Sequence, residues 1–348
     1  MRANLLAGLK VWRGIFNYLD CMQRHQQRTA IGIDFGGTAV KAGLVDATGV
    51  VLDRVQTATA DVCERTVWLD FVGQCLRRFG AGRRRALGVG VGVPGFVDFK
   101  RGYIYNLTNV PGWTRVPLAG MLRKKFGLNA FVDNDVNAMA LGECNYGAGR
   151  RFSQAVFATL GTGVGGAVVI DGHLHRGAYS MAGEIGHMSI NLHGRRTPEG
   201  RGGLETYVGN NRIVAAAARA LRAGRCSLLR DLVKNDLKHL TPKTIALAAR
   251  RGDPLACEIF NTMADCLATT FASVTYLLQP EVIIVGGGVA QSGRVLFDPL
   301  RRHLRERLHP FFAERIRVIP ALLGADAGLI GCAALVFAAL SKTKDGCR

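Results

Sequence analysis

The stretch Ala30-Ile-Gly-Ile-Asp34-Phe-Gly36-Gly37-Thr38-Ala-Val-Lys41-Ala-Gly-Leu-Val45 reads as strand, glycine turn, strand. Ala30–Asp34 is a short apolar run ending in a carboxylate, Gly36-Gly37-Thr38 is the turn, and Val40–Val45 returns toward Asp46 and Gly49. The layout recurs about 125 residues later. Ala155–Leu160 is a strand, Gly161-Thr162-Gly163 the turn, and Gly166–Ile170 the return before Asp171-Gly172. Both Gly36 to Asp46 and Gly161 to Asp171 span ten positions. A repeated spacing over that distance suggests two structurally related halves. Glycine lacks Cβ, so consecutive N–H groups can converge on an anion, and a threonine hydroxyl adds a donor. One such hairpin alone would be an ordinary tight turn. Two that echo each other suit opposed halves holding one polyphosphate.

Dinucleotide binding is the rival reading. G-x-G-x-x-G strings occur at Gly90/Gly92/Gly95 and Gly161/Gly163/Gly166. That fingerprint needs a helix directly after the glycines. The first string runs into Pro94 and Phe96-Val97-Asp98, and the second into Ala167-Val168-Val169-Ile170. No G-x-x-x-x-G-K-[ST] loop is present. A third glycine turn, Gly286-Gly287-Gly288, follows the apolar run Glu281–Val285 and leads into Val289-Ala290. Strand, glycines and helix in that order would set backbone N–H groups and a helix N-terminus beside a ligand. A plain βα turn would account for the same residues.

Between the hairpins lies Phe131-Val132-Asp133-Asn134-Asp135-Val136-Asn137-Ala138, a short strand delivering four polar residues before a helix through Ala138–Glu143. Capping explains one or two of them. A carboxylate beside amides suits a site that orients hydroxyls and takes a proton from one. Leu107-Thr108-Asn109-Val110-Pro111-Gly112-Trp113 is a polar loop with an aromatic that reads as buried. Gly183-Glu184-Ile185-Gly186-His187 and Leu204-Glu205 add polar loop residues. Asn109, Asn134, Glu184, His187 and Glu205 together form a hydroxyl-binding inventory, though each alone reads as a surface or capping residue.

The chain has 348 residues, enough for about two domains. A hydrophobic share of 48% excludes a disordered chain. Glycine, at 44 residues, is the compositional outlier, and it clusters in the turns above. The net charge of +19 fits nucleic acid, a membrane surface, an anionic substrate or simply a basic solvated surface. The nine cysteines are scattered, with no CxxC pair, which excludes a disulfide framework or a cysteine-based zinc site and fits a reducing cytoplasm. No uninterrupted apolar stretch reaches the roughly 18 residues of a spanning helix. Residues 1–29 differ from the rest. Leu5, Leu9, Trp12, Phe16 and Leu19 form one helical apolar stripe, interrupted by Lys10 and Arg13. It reads as a helix packed on the protein's own body, a membrane-surface or partner-binding helix, or a dispensable extension ahead of Met22.

These residues resemble the ROK family (repressor, open reading frame, kinase) over about residues 30–340. Asp34-Phe-Gly-Gly-Thr-Ala-Val-Lys41 is similar to its first phosphate loop. Leu160–His187 is similar to its signature, through Gly163, Gly165, Gly177, Gly186 and His187. Val132–Glu143 resembles its catalytic segment and Pro280–Val289 its nucleoside-side loop. The resemblance implies an α/β, actin/hexokinase-like (ribonuclease H-like) fold of two lobes around a cleft. Its divisions would be an extension 1–29, a small lobe 30–135 completed by a helix 326–342, and a larger lobe 136–325. It implies an ATP- and Mg²⁺-dependent hexose kinase, with glucose as the first expectation, working in the cytoplasm as a homodimer. Asp135 would be the base that deprotonates a sugar hydroxyl. Asn109, Asn134, Asp135, Glu184, His187 and Glu205 would contact the sugar. Asp34, Gly36, Gly37, Thr38, Lys41, Gly161, Thr162 and Gly163 would serve the ATP phosphates and their cation, and Gly286 and Gly287 would lie near the nucleoside.

One departure stands out. The family carries a structural zinc on a histidine like His187 and three cysteines before Leu-Glu. Here Gly194-Arg-Arg-Thr-Pro-Glu-Gly-Arg-Gly-Gly-Leu-Glu205 holds none, and His193 and Glu199 are the only nearby substitutes, so no zinc is expected. The family's repressors carry a DNA-binding domain ahead of the first phosphate loop. Only 33 residues precede Asp34, and no basic-aromatic platform is evident, so neither specific nucleic-acid binding nor membrane association is expected. The resemblance is also compatible with an N-acetylhexosamine, fructose or allose kinase, a polyphosphate-dependent glucokinase, or a non-catalytic sugar-binding relative.

Overall fold

A computed structural model describes residues 28–80, 86–108 and 110–345, with side chains through Ser341. The amphipathic stripe expected over 1–29 falls on residues 1–27, outside the described residues. The described chain forms two compact units, 28–146 with 326–345, and 147–325.

The first unit is built on a five-stranded sheet. It comprises β1 (Thr29–Phe35), β2 (Ala39–Asp46), β3 (Val51–Ala58), β4 (Ala86–Val93) and, after the small hairpin β5 (Gly95–Asp98) and β6 (Tyr103–Leu107), β7 (Ala130–Asn134). Strand order is β3-β2-β1-β4-β7. β1, β2 and β3 are antiparallel neighbours, and β4 and β7 add in parallel. The Gly90/Gly92/Gly95 string thus runs from one strand into another with no helix between, and this is not the geometry of a dinucleotide loop. Helices α1 (Arg65–Gly80) and α2 (Leu118–Phe126) precede β4 and β7, and α3 (Asp135–Tyr146) follows β7.

The two faces of β4 divide by residue size. Its sequence alternates glycine and valine, and strand periodicity sends them to opposite sides. Val89, Val91 and Val93 join the core formed with Trp68, Phe71, Trp113 and Leu122. The glycines face the C-terminal helix, Ala327–Asp345. A Cβ on Gly90 would lie 1.8 Å from the Cys332 carbonyl oxygen, and one on Gly32 of β1 would lie 2.0 Å from that of Leu329. The same helix meets α3 closely, with a Cβ on Gly331 falling 1.8 Å from the Ala138 carbonyl. Helix backbone therefore rests directly on strand backbone.

One sequence expectation changes here. The unit boundary falls after Tyr146 rather than at 135/136, because the Gly142 and Gly331 contacts tie α3 to the C-terminal helix. Residues 324–341 reach the length and mean hydropathy (1.7) of a membrane-crossing helix, although no single apolar run does. In the fold, Leu329, Ala333 and Val336 of this helix are buried against Ala30 and Val45.

The second unit repeats the sheet. β8 (Ala155–Leu160), β9 (Val164–Ile170) and β10 (His173–His175) are antiparallel neighbours, and β13 (Val282–Gly286) and β14 (Arg317–Pro320) add in parallel beyond β8. The order β10-β9-β8-β13-β14 matches the first sheet position by position, as the repeated hairpin spacing predicts. Between β10 and β13 come the two-residue strands β11 (Arg196–Thr197) and β12 (Gly200–Arg201), then α4 (Asn210–Arg222), α5 (Leu229–Leu232), α6 (Pro242–Arg250) and α7 (Pro254–Leu278). α8 (Arg294–Arg307) and α9 (Pro310–Ala313) precede β14. Ile283 and Val285 of β13 pack with Leu267 and Phe271 of α7 and Leu296 and Leu300 of α8 in one core. The Asp253 carboxylate caps α7 by accepting from Ala256 N at 2.8 Å, with Pro254 at the first helical position.

Substituting Gly90 by Ala forces a methyl into the Cys332 carbonyl and is expected to cost about 3 kcal/mol or more. Gly120→Ala in α2, where a Cβ meets open space, is expected to stabilise by about 0.5–1 kcal/mol. Urea-unfolding midpoints of the two variants check the pair.

Candidate functional site

In the first unit, three segments meet at the carboxyl ends of β1, β4 and β7. After Phe35 the chain turns through Gly36-Gly37-Thr38. Gly36 N–H donates to the Ala39 carbonyl at 3.1 Å, the Thr59 hydroxyl donates to the Gly36 carbonyl at 2.7 Å, and Thr59 N–H to that of Thr38 at 2.9 Å. The loop is thereby held from behind, while Gly37 and Thr38 stay exposed and a Cβ on Gly37 would meet nothing. Asp34 sits beside Lys41 in the β1–β2 register. Burial pushes its carboxyl above the usual carboxylate range, against the pull of Lys41. The carboxylate lies against the first turn of the C-terminal helix, where a Cβ on Gly328 would come within 2.5 Å of Oδ2. Sequence reading missed Gly328, because only its distance from Asp34 in the fold gives it meaning.

The acid–amide cluster is tied together by its own hydrogen bonds. Asp133 is buried, and its Oδ1 accepts from Asn137 Nδ2 at 3.1 Å and from Asn134 N at 2.9 Å. Asn134 Oδ1 accepts from Val136 N and Asn137 N, so it caps α3, and its Nδ2 donates to the Gly95 carbonyl at 3.3 Å. Capping thus accounts for Asn134, while Asp133 and Asn137 lock strand to helix. Asp135, half-buried, is the first residue of α3, which starts three residues earlier than the sequence pattern indicates. The partial positive end of the helix favours its carboxylate. Beneath it, burial raises the Cys332 thiol well above the usual thiol range, and the carboxylates of Asp34, Asp135 and Asp133 add to the shift. Asn109 lies outside the described residues. Trp113 is buried in a ring cluster with Phe35 and Trp68 and donates from Nε1 to the Cys63 carbonyl at 2.6 Å.

In the second unit, Gly161-Thr162-Gly163 closes with Gly161 N–H donating to the Gly163 carbonyl at 3.0 Å. The first residue of α4, Asn210, donates its N–H to the Gly161 carbonyl at 2.9 Å, so a helix N-terminus adjoins this loop. That neighbour, 49 residues away in sequence, was not legible. Gly287, at φ +86°, brings its turn so close to β8 that a Cβ would lie 2.4 Å from the Leu160 carbonyl. The helix expected directly after Gly288 is a single 3₁₀ turn, Val289–Ser292, and α8 begins only at Arg294 after Gly293 reverses the chain at φ +67°. No α-helix N-terminus therefore stands at this turn.

Glu184, His187 and Glu205 come together. His187 Nε2 is 3.8 Å from Glu184 Oε2 and its Nδ1 is 3.9 Å from Glu205 Oε1. Burial raises the Glu184 carboxyl, His187 opposes the shift, and Glu205 adds to it. Glu205 also adjoins the glycine loop, since a Cβ on Gly163 would sit 2.8 Å from Glu205 Oε2. The cysteine-free segment forms the β11–β12 hairpin, closed by Ile190 N–H to Gly202 O and Gly202 N–H to Arg195 O, both 2.9 Å. His193 and Glu199 on it are exposed, and no group of three or more His, Cys, Asp or Glu among the described residues could hold a metal ion. These residues do not fit a structural zinc.

The ROK family profile matches residues 30–339, and the chain belongs to that family. A glucokinase from Thermotoga maritima is 34% identical over 311 residues, covering 88% of this chain and 96% of the relative. A crystal structure of a ROK family glucokinase from Streptomyces griseus, in complex with glucose and AMPPNP, matches with a TM-score of 0.77 and 32% identity, over 88% of this chain and 98% of that one. A xylose repressor from Caldicellulosiruptor bescii is 27% identical over 88% of this chain and 77% of its own length. The fold is α/β of the actin/hexokinase type, and the chain is a glucokinase-like sugar kinase of this family.

Because its folded-state carboxyl is raised, Glu184 contributes stability that is fully present at pH below its unfolded value and is lost as pH rises through the folded one. Glu184→Gln is therefore expected to gain melting temperature relative to the parent as pH rises from 4 to 8, read in matched thermal melts. A gap that does not grow with pH contradicts this. Elemental analysis of the purified protein is expected to find no stoichiometric zinc.

Proposed function

We propose that the protein transfers the γ-phosphoryl of MgATP to the 6-hydroxyl of glucose, with Asp135 as general base. Asp135 carries the reading. It stands half-buried at the start of α3, aimed by the lock between Asp133 and Asn137, in the segment that matches the family's catalytic one. The hydroxyl oxygen attacks the γ-phosphorus as its proton passes to a carboxylate oxygen of Asp135, and the bond to the β,γ-bridging oxygen breaks to release ADP. Such transfer depends on positioning and charge stabilisation more than on covalent chemistry. Gly36, Gly37, Thr38, Gly161, Thr162 and Gly163 supply backbone and hydroxyl donors to the phosphates, and Gly286 and Gly287 border the nucleoside. Asn109, Glu184, His187 and Glu205 orient the sugar hydroxyls, and Asn134, which caps α3, holds Asp135 at the start of that helix. The raised Asp34 carboxyl, with Lys41 beside it, fits a hard divalent cation held through oxygen, since a cation would offset the cost of that buried charge. Mg²⁺, when bound, neutralises phosphate charge.

Two further readings have a specific observation behind them. The likeness to a xylose repressor favours a non-catalytic sugar-binding role. The +19 charge favours polyphosphate as donor. Retention of Asp135 and both glycine loops supports the kinase. A coupled assay over glucose, N-acetylglucosamine, N-acetylmannosamine, fructose and allose, with ATP and with polyphosphate, is expected to give its highest kcat/KM with glucose and ATP. Asp135→Asn is expected to lower kcat by about 10²–10⁴-fold while KM for both substrates stays close to the parent's. Near-parental turnover in that variant overturns the assignment.

A further inference from the structure

The parallel strands of the second unit carry glycine loops at one end and a different feature at the other. Residues 151–152 lead into β8, 280–281 into β13 and 316 into β14. These three lead-ins, with the end of α7 and with α9, surround a cavity of about 510 Å³. A six-residue strand such as β8 separates it from the loop at Gly161 by about 20 Å. The lining brings together three guanidiniums, Arg151, Arg315 and Arg317, and three aromatic rings, Phe152, Phe311 and Phe312.

We infer that this cavity binds a nucleoside phosphate, at a site separate from the glycine loops. The charge balance inside it favours an anion. The lining carboxylate, Glu281, accepts from Ser153 N at 2.8 Å, Gln154 N at 2.9 Å and Ser153 Oγ at 3.2 Å, so it is committed to holding the β8 lead-in against β13. Arg315 donates to the Phe311 carbonyl at 2.7 Å and pairs with Glu314 at 3.6 Å, both through Nη1, and those contacts leave its Nε and Nη2 donors unused. The Glu314 pair is largely exposed and holds the guanidinium weakly. Guanidinium forks match phosphate oxygens in pairs.

The rings supply the second half of the recognition. The Arg315 guanidinium lies 4.1 Å over the Phe311 ring and that of Arg317 5.9 Å from the Phe152 ring. Phe311 is 47% exposed, and it meets Phe312 edge-to-face at 5.3 Å. Such layers accept a planar heterocycle by stacking. A sugar phosphate would find fewer partners for its hydroxyls, because the Thr275 hydroxyl is buried and donates to the Phe271 carbonyl at 2.7 Å, which leaves Gln279 as the uncharged polar side chain of the lining. The cavity's chemistry stands independently of the kinase reading.

The test is calorimetric titration of the full chain with AMP, UMP, glucose 6-phosphate and inorganic phosphate, repeated on Arg151→Ala/Arg317→Ala and on Phe312→Ala. The expected result is a saturable nucleotide component that the double arginine variant weakens by about tenfold or more and that Phe312→Ala weakens for nucleotides only. The melting temperature of each variant, matched to the parent's, shows that the unit stays folded. The inference is overturned if no such component exists or if the arginine substitutions leave it unchanged. It also fails if inorganic phosphate or glucose 6-phosphate binds there as tightly as the nucleotides.

Discussion

The first unit depends on direct contact between the backbone of the C-terminal helix and the backbone of two strands. Glycine at 32 and 90 allows it, and any side chain there would occupy the space of a helix carbonyl. The helix then supports the candidate site residues of that unit. Its first turn meets the Asp34 carboxylate at Gly328, its middle holds α3 through Gly331, and its Cys332 lies beneath the carboxylates of Asp34, Asp133 and Asp135. The position of Asp135 follows from that packing, because α3 is gripped on one side by the helix and tied at its start by Asp133 and Asn137.

Local signals in the sequence were readable wherever turn chemistry and strand period decide local structure. The two glycine hairpins, the strand into Asp133 and the polar loops at 184–187 and 205 could be placed from turn chemistry and period-two patterning alone. The matched sheet orders then followed from one repeated spacing. Long-range contact was not readable. The alternation in Ala86–Val93 looked like a failed dinucleotide motif, yet its glycines are a helix-docking face. The true end of the first unit at Tyr146, and the approach of α4 to Gly161, depend on residues far apart in the chain. Asn134 illustrates a subtler limit, because a residue type suited to binding hydroxyls is also the best helix cap.

The cysteine-free segment before Glu205 is held by backbone contacts. Where relatives of this pattern are expected to use a metal, this chain closes residues 190–202 with backbone hydrogen bonds and a two-residue ladder. The carboxylates of Glu184 and Glu205 lie 3.8 and 3.9 Å from the His187 ring. The excess of glycine and the excess of positive charge also part company. The glycines serve the loops and the helix contact, whereas three of the arginines line a cavity at the far end of the second sheet.

The central claim is that Asp135 drives transfer of a phosphoryl group from ATP to a hexose. Phosphorus NMR of the parent incubated with glucose, ATP and Mg²⁺ tests it most directly. The account predicts that the resonance of glucose 6-phosphate grows in step with that of ADP, and that neither appears with Asp135→Asn. ADP formed with inorganic phosphate alone, or sugar phosphate formed equally well by the Asp135→Asn variant, would contradict it.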